Sequence, residues 1–303
     1  MSTGPLVSIV TPSLNMAGFI EEAVESVLSQ DYPQIEYVVM DGGSTDGTLE
    51  ILERHRDGLR YVSARDSGAA DAINKGFEMS RGSILGWLNA DDRLLAGAVG
   101  AAVRRLAADP GLGAVYGQAY WVNERGEVLR PYPTEEFNEE LLANECFICQ
   151  PACFFRREAY ERVGGLDTEL QYSFDYDLWI RMARTSRFGR APEFLAHARM
   201  HRGSKTLGSR KEVLRETIQV LKRRYGYAPF KALFSYYCFL LDGRDQFYEP
   251  LRPSTFKYLL SLPAGCWENR RRLPRYCREW WEAVRPRPGW VGRKLGRARG
   301  RRS

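Results

Sequence analysis

Histidine, cysteine and long apolar runs are all scarce in this chain, and each shortage narrows what it can be. The 303 residues include only three histidines and six cysteines. Six cysteines do not make a disulfide scaffold in a chain this long, and they fit a reducing compartment. Cys146, Cys149 and Cys153 are closely spaced, but no fourth ligand or companion His lies near them. They read as buried thiols rather than as a zinc or iron–sulfur site. The longest apolar stretch, residues 233–241, falls well short of the roughly 20 residues that cross a bilayer. The apolar run at residues 7–10 is too short for a signal h-region and no basic segment precedes it, so the chain is expected to stay in the cytoplasm. Hydrophobic content of 44% and charged content of 27% exclude disorder of the whole chain.

What is present divides unevenly. The net charge is +6, yet residues 268–303 hold thirteen Lys/Arg against three Asp/Glu, while the rest of the chain is mildly acidic. A basic tail of this kind seeks an anionic partner. Within it, Leu273, Tyr276, Cys277, Trp280, Trp281 and Val284 recur at helical spacing, with charged residues between them. That pattern fits an amphipathic helix followed by a basic arm at an anionic membrane surface. A helix packed on the rest of the protein, with a solvated tail, is the other reading. No nucleic-acid-binding motif is present, so nucleic acid is not an expected partner.

The body of the chain alternates strand and helix signals. Val7–Val10, Ile35–Met40, Leu59–Ser63 and Ser83–Leu88 read as short strands, several rich in β-branched residues. Helical spacing appears between them at residues 20–28, 48–55 and 69–80, and a further helix is expected from after Asp92 to about Ala108. Strands are also expected near residues 115–122 and 128–132, and helices near 156–163, 176–185 and 211–225. The fold class is therefore α/β, a mostly parallel Rossmann-like sheet flanked by helices, with a C-terminal helical extension and basic tail. The expected division is a catalytic domain at residues 1–208, a helical extension at 209–267 and the tail at 268–303.

In such a sheet, ligands bind beyond the carboxyl ends of the strands. Those ends carry Thr11, Ser13 and Asn15 after the first strand, and Asp41, Ser44 and Asp46 after the second. Arg65 and Asp66 follow the third, and Asn89, Asp91 and Asp92 follow the fourth. Two adjacent carboxylates at the end of an apolar strand repel each other, and a divalent cation such as Mg²⁺ or Mn²⁺ relieves that repulsion. Helix capping is the alternative use for the same acids. The segment Asp41-Gly-Gly-Ser-Thr-Asp-Gly47 lacks the Lys-Ser/Thr ending of a Walker loop and the dinucleotide glycine spacing.

Together these pieces resemble family 2 glycosyltransferases of the GT-A type. The matching segments are Val7-Ser-Ile-Val-Thr-Pro-Ser-Leu-Asn15, Val39-Met-Asp-Gly-Gly-Ser-Thr-Asp-Gly-Thr48, Asp66-Ser-Gly-Ala-Ala-Asp-Ala-Ile-Asn-Lys-Gly76 and Gly86-Trp-Leu-Asn-Ala-Asp-Asp92. Gln150-Pro-Ala-Cys-Phe-Phe-Arg-Arg157, Gly164-Gly-Leu-Asp167 and Phe174-Asp-Tyr-Asp-Leu-Trp-Ile-Arg181 follow in order, so the resemblance covers roughly residues 6–205. It implies a nucleotide-diphosphate sugar as donor. Thr11, Pro12, Ser13 and Asn15 would contact the nucleotide, Asp41 would read the base, and Asp66, Asp71 and Lys75 would line the donor site. Asn89 stands where some relatives have an acid. Asp91 would approach the ribose, Asp92 would bind Mg²⁺ or Mn²⁺ bridging the diphosphate, and His201 would reach the metal or diphosphate. Gly42 replaces a second acid that many relatives carry.

The resemblance also places the catalytic base at Asp175, the second member of an acid pair whose first member is here Phe174. Asp175 and Asp177 cannot share a helical face, so one is expected in the cleft and the other as the cap of a helix beginning near Leu178. The implied reaction is inverting transfer of a sugar to an acceptor hydroxyl of a glycan or lipid-linked acceptor, in cell-surface polysaccharide or glycolipid synthesis. A nucleotidyltransferase acting on sugar phosphates, or a noncatalytic basic-tailed binding protein, are the rival readings. Residues 11–17 contain none of the Lys or Arg that a nucleotidyltransferase activation loop would carry.

Overall fold

The computed structural model describes residues 4–285. Chain contacts divide it into two compact units, Met1–Val220 and Leu221–Ser303. The sequence reading placed the boundary at 208/209, before a helix that the structure shows to be continuous across 220/221.

The first unit opens with three strand–helix pairs: β1 (Val7–Ser13), α1 (Ile20–Leu28), β2 (Ile35–Asp41), α2 (Thr48–Arg54), β3 (Arg60–Ser63) and α3 (Ala69–Glu78). Next come β4 (Ile84–Trp87), β5 (Arg93–Leu94), α4 (Ala98–Ala108), β6 (Leu112–Val122) and β7 (Val128–Pro131). After α5 (Glu139–Leu142) and a single 3₁₀ turn at Gln150–Ala152 come β8 (Cys153–Arg156), α6 (Arg157–Arg162), α7 (Phe174–Ala183) and β9 (Arg187–Arg199). Helices α8 (Lys205–Gly208) and α9 (Arg210–Tyr225) follow.

The strands join one sheet in the order β3-β2-β1-β4-β8-β6-β9-β5, with β7 on β6. Strands β1, β2, β3 and β4 are parallel to one another, as the alternating pattern predicts. Strand β8 then inserts antiparallel between β4 and β6. The crossover helices cover the sheet with Ile20, Ala23, Val24 and Val27 of α1 and Val99, Ala102 and Leu106 of α4, all buried with Val7, Ile9 and Val39 of the strands.

Three expectations change. The helix after Asp92 starts only at Ala98, because Arg93 and Leu94 are drawn into β5, pairing with His197 and Ala196 of β9. Gly97 then takes φ +76°, the left-handed conformation that glycine tolerates, and turns the chain into α4. Strand β9, thirteen residues long, was not expected. Its pairing with β6 is interrupted by register shifts, so no two-residue period survives in its sequence. Helix α7 begins at Phe174 rather than near Leu178 or Tyr176, which places both Asp175 and Asp177 inside it.

The second unit contains the end of α9, α10 (Phe230–Asp242), α11 (Thr255–Glu268) and α12 (Leu273–Val284). Helix α12 forms where the amphipathic pattern predicts it. Part of its apolar side is turned inward: Tyr276 is fully buried with its hydroxyl on the Ser261 carbonyl at 2.8 Å, and Trp280 donates to the Tyr258 carbonyl at 2.9 Å. Tyr276 and Trp280 pack on α11 in this way, while Leu273, Cys277 and Trp281 of the same predicted face stay exposed. The expected basic arm beyond residue 285 lies outside the described residues.

Candidate active site

Four strands, β1 to β4, deliver their carboxyl ends to one edge, and two loops there are laced together. Asn15 sits at φ +53° with its backbone N–H on Ser44 Oγ at 2.7 Å, while its side-chain oxygen accepts the Thr45 N–H at 2.9 Å. Asp46 accepts the Ala17 N–H at 3.0 Å, and Thr48 Oγ1 accepts the Met16 N–H at 3.0 Å. Asp41 is buried, and its Oδ2 accepts from Gly43 N, Ser44 N and Ser63 Oγ, while Oδ1 takes only the Ser44 hydroxyl. Thr11 is fully buried with its hydroxyl bonded to Tyr37 at 3.0 Å. Thr11, Asn15 and Asp41 therefore hold the loops, and only one face of Asp41 Oδ1 remains to receive a ligand. Pro12 is partly exposed, and the Ser13 hydroxyl is buried without a hydrogen-bond partner.

A hollow of about 230 Å³ opens at the ends of β2 and β3, lined among others by Met40, Asp41, Arg65, Asp66 and Lys75. Three of the sequence-predicted donor residues thus share one cavity. Asp71 stands one helical turn before Lys75 and pairs with its ammonium at 2.7 Å. That contact holds the Asp71 carboxyl below the usual carboxylate range. Gly42 has a physical reason here: a Cβ at that position would lie 3.0 Å from Asp66 Oδ2. The carboxylate of Asp66 occupies the space beside Gly42.

The end of β4 separates its two acids. Asp92 is buried; its Oδ1 accepts the Arg199 backbone N–H at 2.8 Å and its Oδ2 accepts the Asn89 side chain at 3.2 Å. Burial, and then the charge of Asp91, push its carboxyl well above the usual range. Asp91 points the other way, its Oδ2 3.0 Å from His201 Nε2. The family resemblance assigns the metal to Asp92 with His201. The geometry places Asp91, not Asp92, beside His201, because Asp92 is committed to holding β9 against the loop. Asn89 also donates to Gln150 Oε1 at 3.0 Å, and Gln150 in turn donates to the Trp87 carbonyl at 2.7 Å.

Arg199 was not foreseen. Only 4% exposed, it donates to the Asp91 carbonyl at 2.8 Å, the Glu124 carbonyl at 2.6 Å and Glu22 at 2.7 Å. A charge buried in the core is costly unless paired, and these acceptors make Arg199 the clasp that fixes Asp91 in place. No local sequence signal marks it, since its partners are up to 177 residues away.

Helix α7 brings the last acid. Trp179 stacks on Trp87 with centroids 5.5 Å apart, and Phe174 lies 6.4 Å from the same ring, which docks the start of α7 against the end of β4. The loop entering α7 is held from outside the helix: Glu216 accepts the N–H groups of Gln171, Tyr172 and Ser173 at 3.0, 2.7 and 2.7 Å. Asp177 is fully buried in an ion pair with Arg181 at 2.7 Å. It is not a helix cap. Asp175, on the opposite side of α7, is half-buried and bonds only the Tyr176 N–H, at 2.7 Å. Loss of solvent around it pushes its carboxyl up to about 6, with the nearby Glu216 charge adding to the rise.

Residues 8–164 match the sequence family described as Glycosyl transferase family 2. The chain is 28% identical over 241 residues to chondroitin synthase of Escherichia coli, covering 76% of this chain and 35% of that protein. It is 29% identical over 188 residues to hyaluronan synthase of Pasteurella multocida, covering 61% of this chain and 19% of that one. The chain thus spans about a third or less of the length of these relatives. S. aureus TarS 1–349 in complex with UDP-GlcNAc superposes with a TM-score of 0.63 at 16% identity, over 88% of this chain and 82% of that one. The mannosyltransferase PcManGT of Pyrobaculum calidifontis, in complex with GDP-Man and Mn²⁺, gives a TM-score of 0.59 at 22% identity, over 98% and 81%. These structural likenesses give the fold as GT-A, and the family match over more than half of the chain gives the class: this protein is a member of glycosyl transferase family 2 and a glycosyltransferase.

Proposed function

We propose that the chain transfers a sugar, with inversion, from a nucleotide-diphosphate sugar to a hydroxyl of a glycan or lipid-linked acceptor, in cell-surface polysaccharide or glycolipid synthesis. The observation that carries this reading is Asp175: a half-buried carboxylate near the end of β4, poised near neutrality, while its neighbour Asp177 is locked in an ion pair. The nucleotide lies along the hollow of Asp41, Asp66 and Lys75, with Pro12 and Ser13 beside it and Asp71 holding Lys75. Asn89 keeps the loop that presents Asp91. The carboxylate of Asp91 and the imidazole of His201, 3.0 Å apart, form a donor set suited to Mn²⁺ or a similar divalent ion. Such an ion, when bound, offsets the charge of the departing diphosphate.

Asp175 accepts the proton of the acceptor hydroxyl. The acceptor oxygen forms a bond to the anomeric carbon on the face opposite the diphosphate. The bond from that carbon to the diphosphate oxygen breaks, and the nucleoside diphosphate leaves with the electron pair. The names of the relatives, polysaccharide synthases among them, support a glycan product. The basic residues 268–303 would bring the enzyme to an anionic membrane where lipid-linked acceptors reside. A screen of UDP- and GDP-sugars, with and without Mn²⁺, followed by NMR of the product's anomeric configuration, tests the proposal. Retention of configuration would overturn it.

A further inference from the structure

Nine of the fourteen large apolar side chains left exposed among the described residues fall in the second unit, less than a third of the chain. Four belong to α11, and they form one stripe. Phe256, Leu259, Leu260 and Trp267 recur at i, i+3, i+4 and i+11, with Pro263 between them, and are exposed by 64, 59, 37 and 71%. The opposite face of α11 holds Lys257, Ser261 and Gly265, and that face is the buried one. Lys257 reaches the Asp242 carboxylate and the Arg252 carbonyl, Ser261 receives the Tyr276 hydroxyl, and any Cβ at Gly265 would collide with the Tyr276 ring. A soluble helix ordinarily arranges these two faces the other way round. Polar groups are satisfied inside so that aromatic and aliphatic groups can face out.

Charge selects the occupant. Arg252 precedes the stripe and Arg270, Arg271 and Arg272 follow it, the Arg270 guanidinium lying 5.3 Å from the Trp267 ring. Of the nearby acids, Glu268 and Glu279 are paired with Lys222 and Arg275. Residues 286–303 add seven Lys/Arg and no acid. A second copy would bring the same positive charge against itself, whereas an anionic lipid surface complements it. No helix among the described residues is long and apolar enough to cross a membrane, so the stripe has the geometry of a helix lying in the interface.

We infer that α11 is a bilayer-docking helix: its Phe256–Trp267 stripe enters the headgroup–acyl boundary of an anionic leaflet while Arg252, Arg270, Arg271 and Arg272 meet lipid phosphates. This surface differs from the basic tail and from α12, and it stands whether or not the transfer reaction is as proposed. The test is flotation of the full chain with phosphatidylcholine–phosphatidylglycerol vesicles at low salt. A full chain with Phe256→Gln, Leu259→Gln, Leu260→Gln and Trp267→Gln is the comparison. Because all four side chains are exposed, the variant should keep its circular dichroism and melting temperature, yet bind vesicles at least 10-fold less. Sugar-nucleotide turnover on a soluble acceptor should be unchanged. Equal flotation of the two proteins, or failure of the unmodified chain to float, would overturn the inference. So would a dimer on gel filtration that the variant converts to monomer without any vesicle binding, which would give the stripe to a second copy.

Discussion

Replacing Asp175 with Asn should damage function and improve stability at the same time, and the two effects should follow pH together. The carboxyl of Asp175 is raised from an ordinary value near 3.8 to about 6. A rise of that size corresponds to about 3 kcal/mol for ionising the group in the folded protein, at 1.36 kcal/mol per pKa unit. The side chain is only half-buried, so solvent screening reduces the figure to about 1–2 kcal/mol. Because the folded value is the higher one, folding is favoured with the group protonated, and that stability is lost as pH rises from about 4 through 6. Asn carries no charge to desolvate. Asp175→Asn should therefore be about 1–2 kcal/mol more stable than the unmodified protein at pH 8 and nearly equal to it at pH 4. Transfer should fall roughly 10²–10⁴-fold, the usual range for a lost general base. The unmodified enzyme's kcat should rise with pH to a plateau above about 6. Asp177→Asn makes the contrast, since it leaves Arg181 without its buried partner and should cost about 3–5 kcal/mol at every pH where the pair is ionised. Urea titrations at the two pH values, with transfer assays alongside, measure all of this. If Asp175→Asn is destabilised at pH 8 as much as Asp177→Asn, Asp175 is a structural residue and the base lies elsewhere.

Other perturbations separate the remaining roles. Asp91→Asn and His201→Ala should each weaken Mn²⁺ binding at least 10-fold by calorimetry in the presence of nucleoside diphosphate, with melting temperatures little changed. Arg199→Ala should lower stability by about 3 kcal/mol, because it strips Glu22 and the Asp91 loop of a buried cation, and urea unfolding would reveal it. Gly42→Ala crowds Asp66 and should raise the donor KM while leaving kcat nearly intact; an unchanged KM would place the donor away from that hollow.

The parallel half of the sheet was legible in the sequence because its strands are short β-branched runs separated by helices with clear 3.6-residue spacing. The strand-end residues were legible for the same reason, since topology alone puts Asp41, Asp66 and Asp91 on one edge. What stayed hidden depended on partners far along the chain. Strand β9 carries register shifts in place of a period, and the α4 start gave way to a two-residue pairing with β9. Two adjacent acids in a sequence look interchangeable, but the Arg199 N–H and the Asn89 amide hold Asp92 inward while Asp91 turns to His201. Helix α12 showed its amphipathic face correctly. The sequence could not say that α11 was there to take Tyr276 and Trp280 from that face, nor that α11 would be turned inside out.

The span between Asp91 and His201 also bears on how the protein is made. The two residues are 110 positions apart, and the strand that carries Arg199 is the last to enter the sheet. At 5–20 residues per second, a ribosome needs about 5–20 s to proceed from one to the other. Throughout that interval the nascent chain holds two neighbouring carboxylates at the end of a completed β4, with no Arg199 N–H to draw Asp92 inward and no imidazole beside Asp91. The parallel half can fold early, but the edge that would bind a cation forms only when the 13-residue β9 threads beside β6. A nascent chain arrested before residue 199 would therefore carry the folded hollow of Asp41, Asp66 and Lys75 and a solvated, mutually repelling acid pair, and on the proposed function it should bind nucleotide long before it can bind metal.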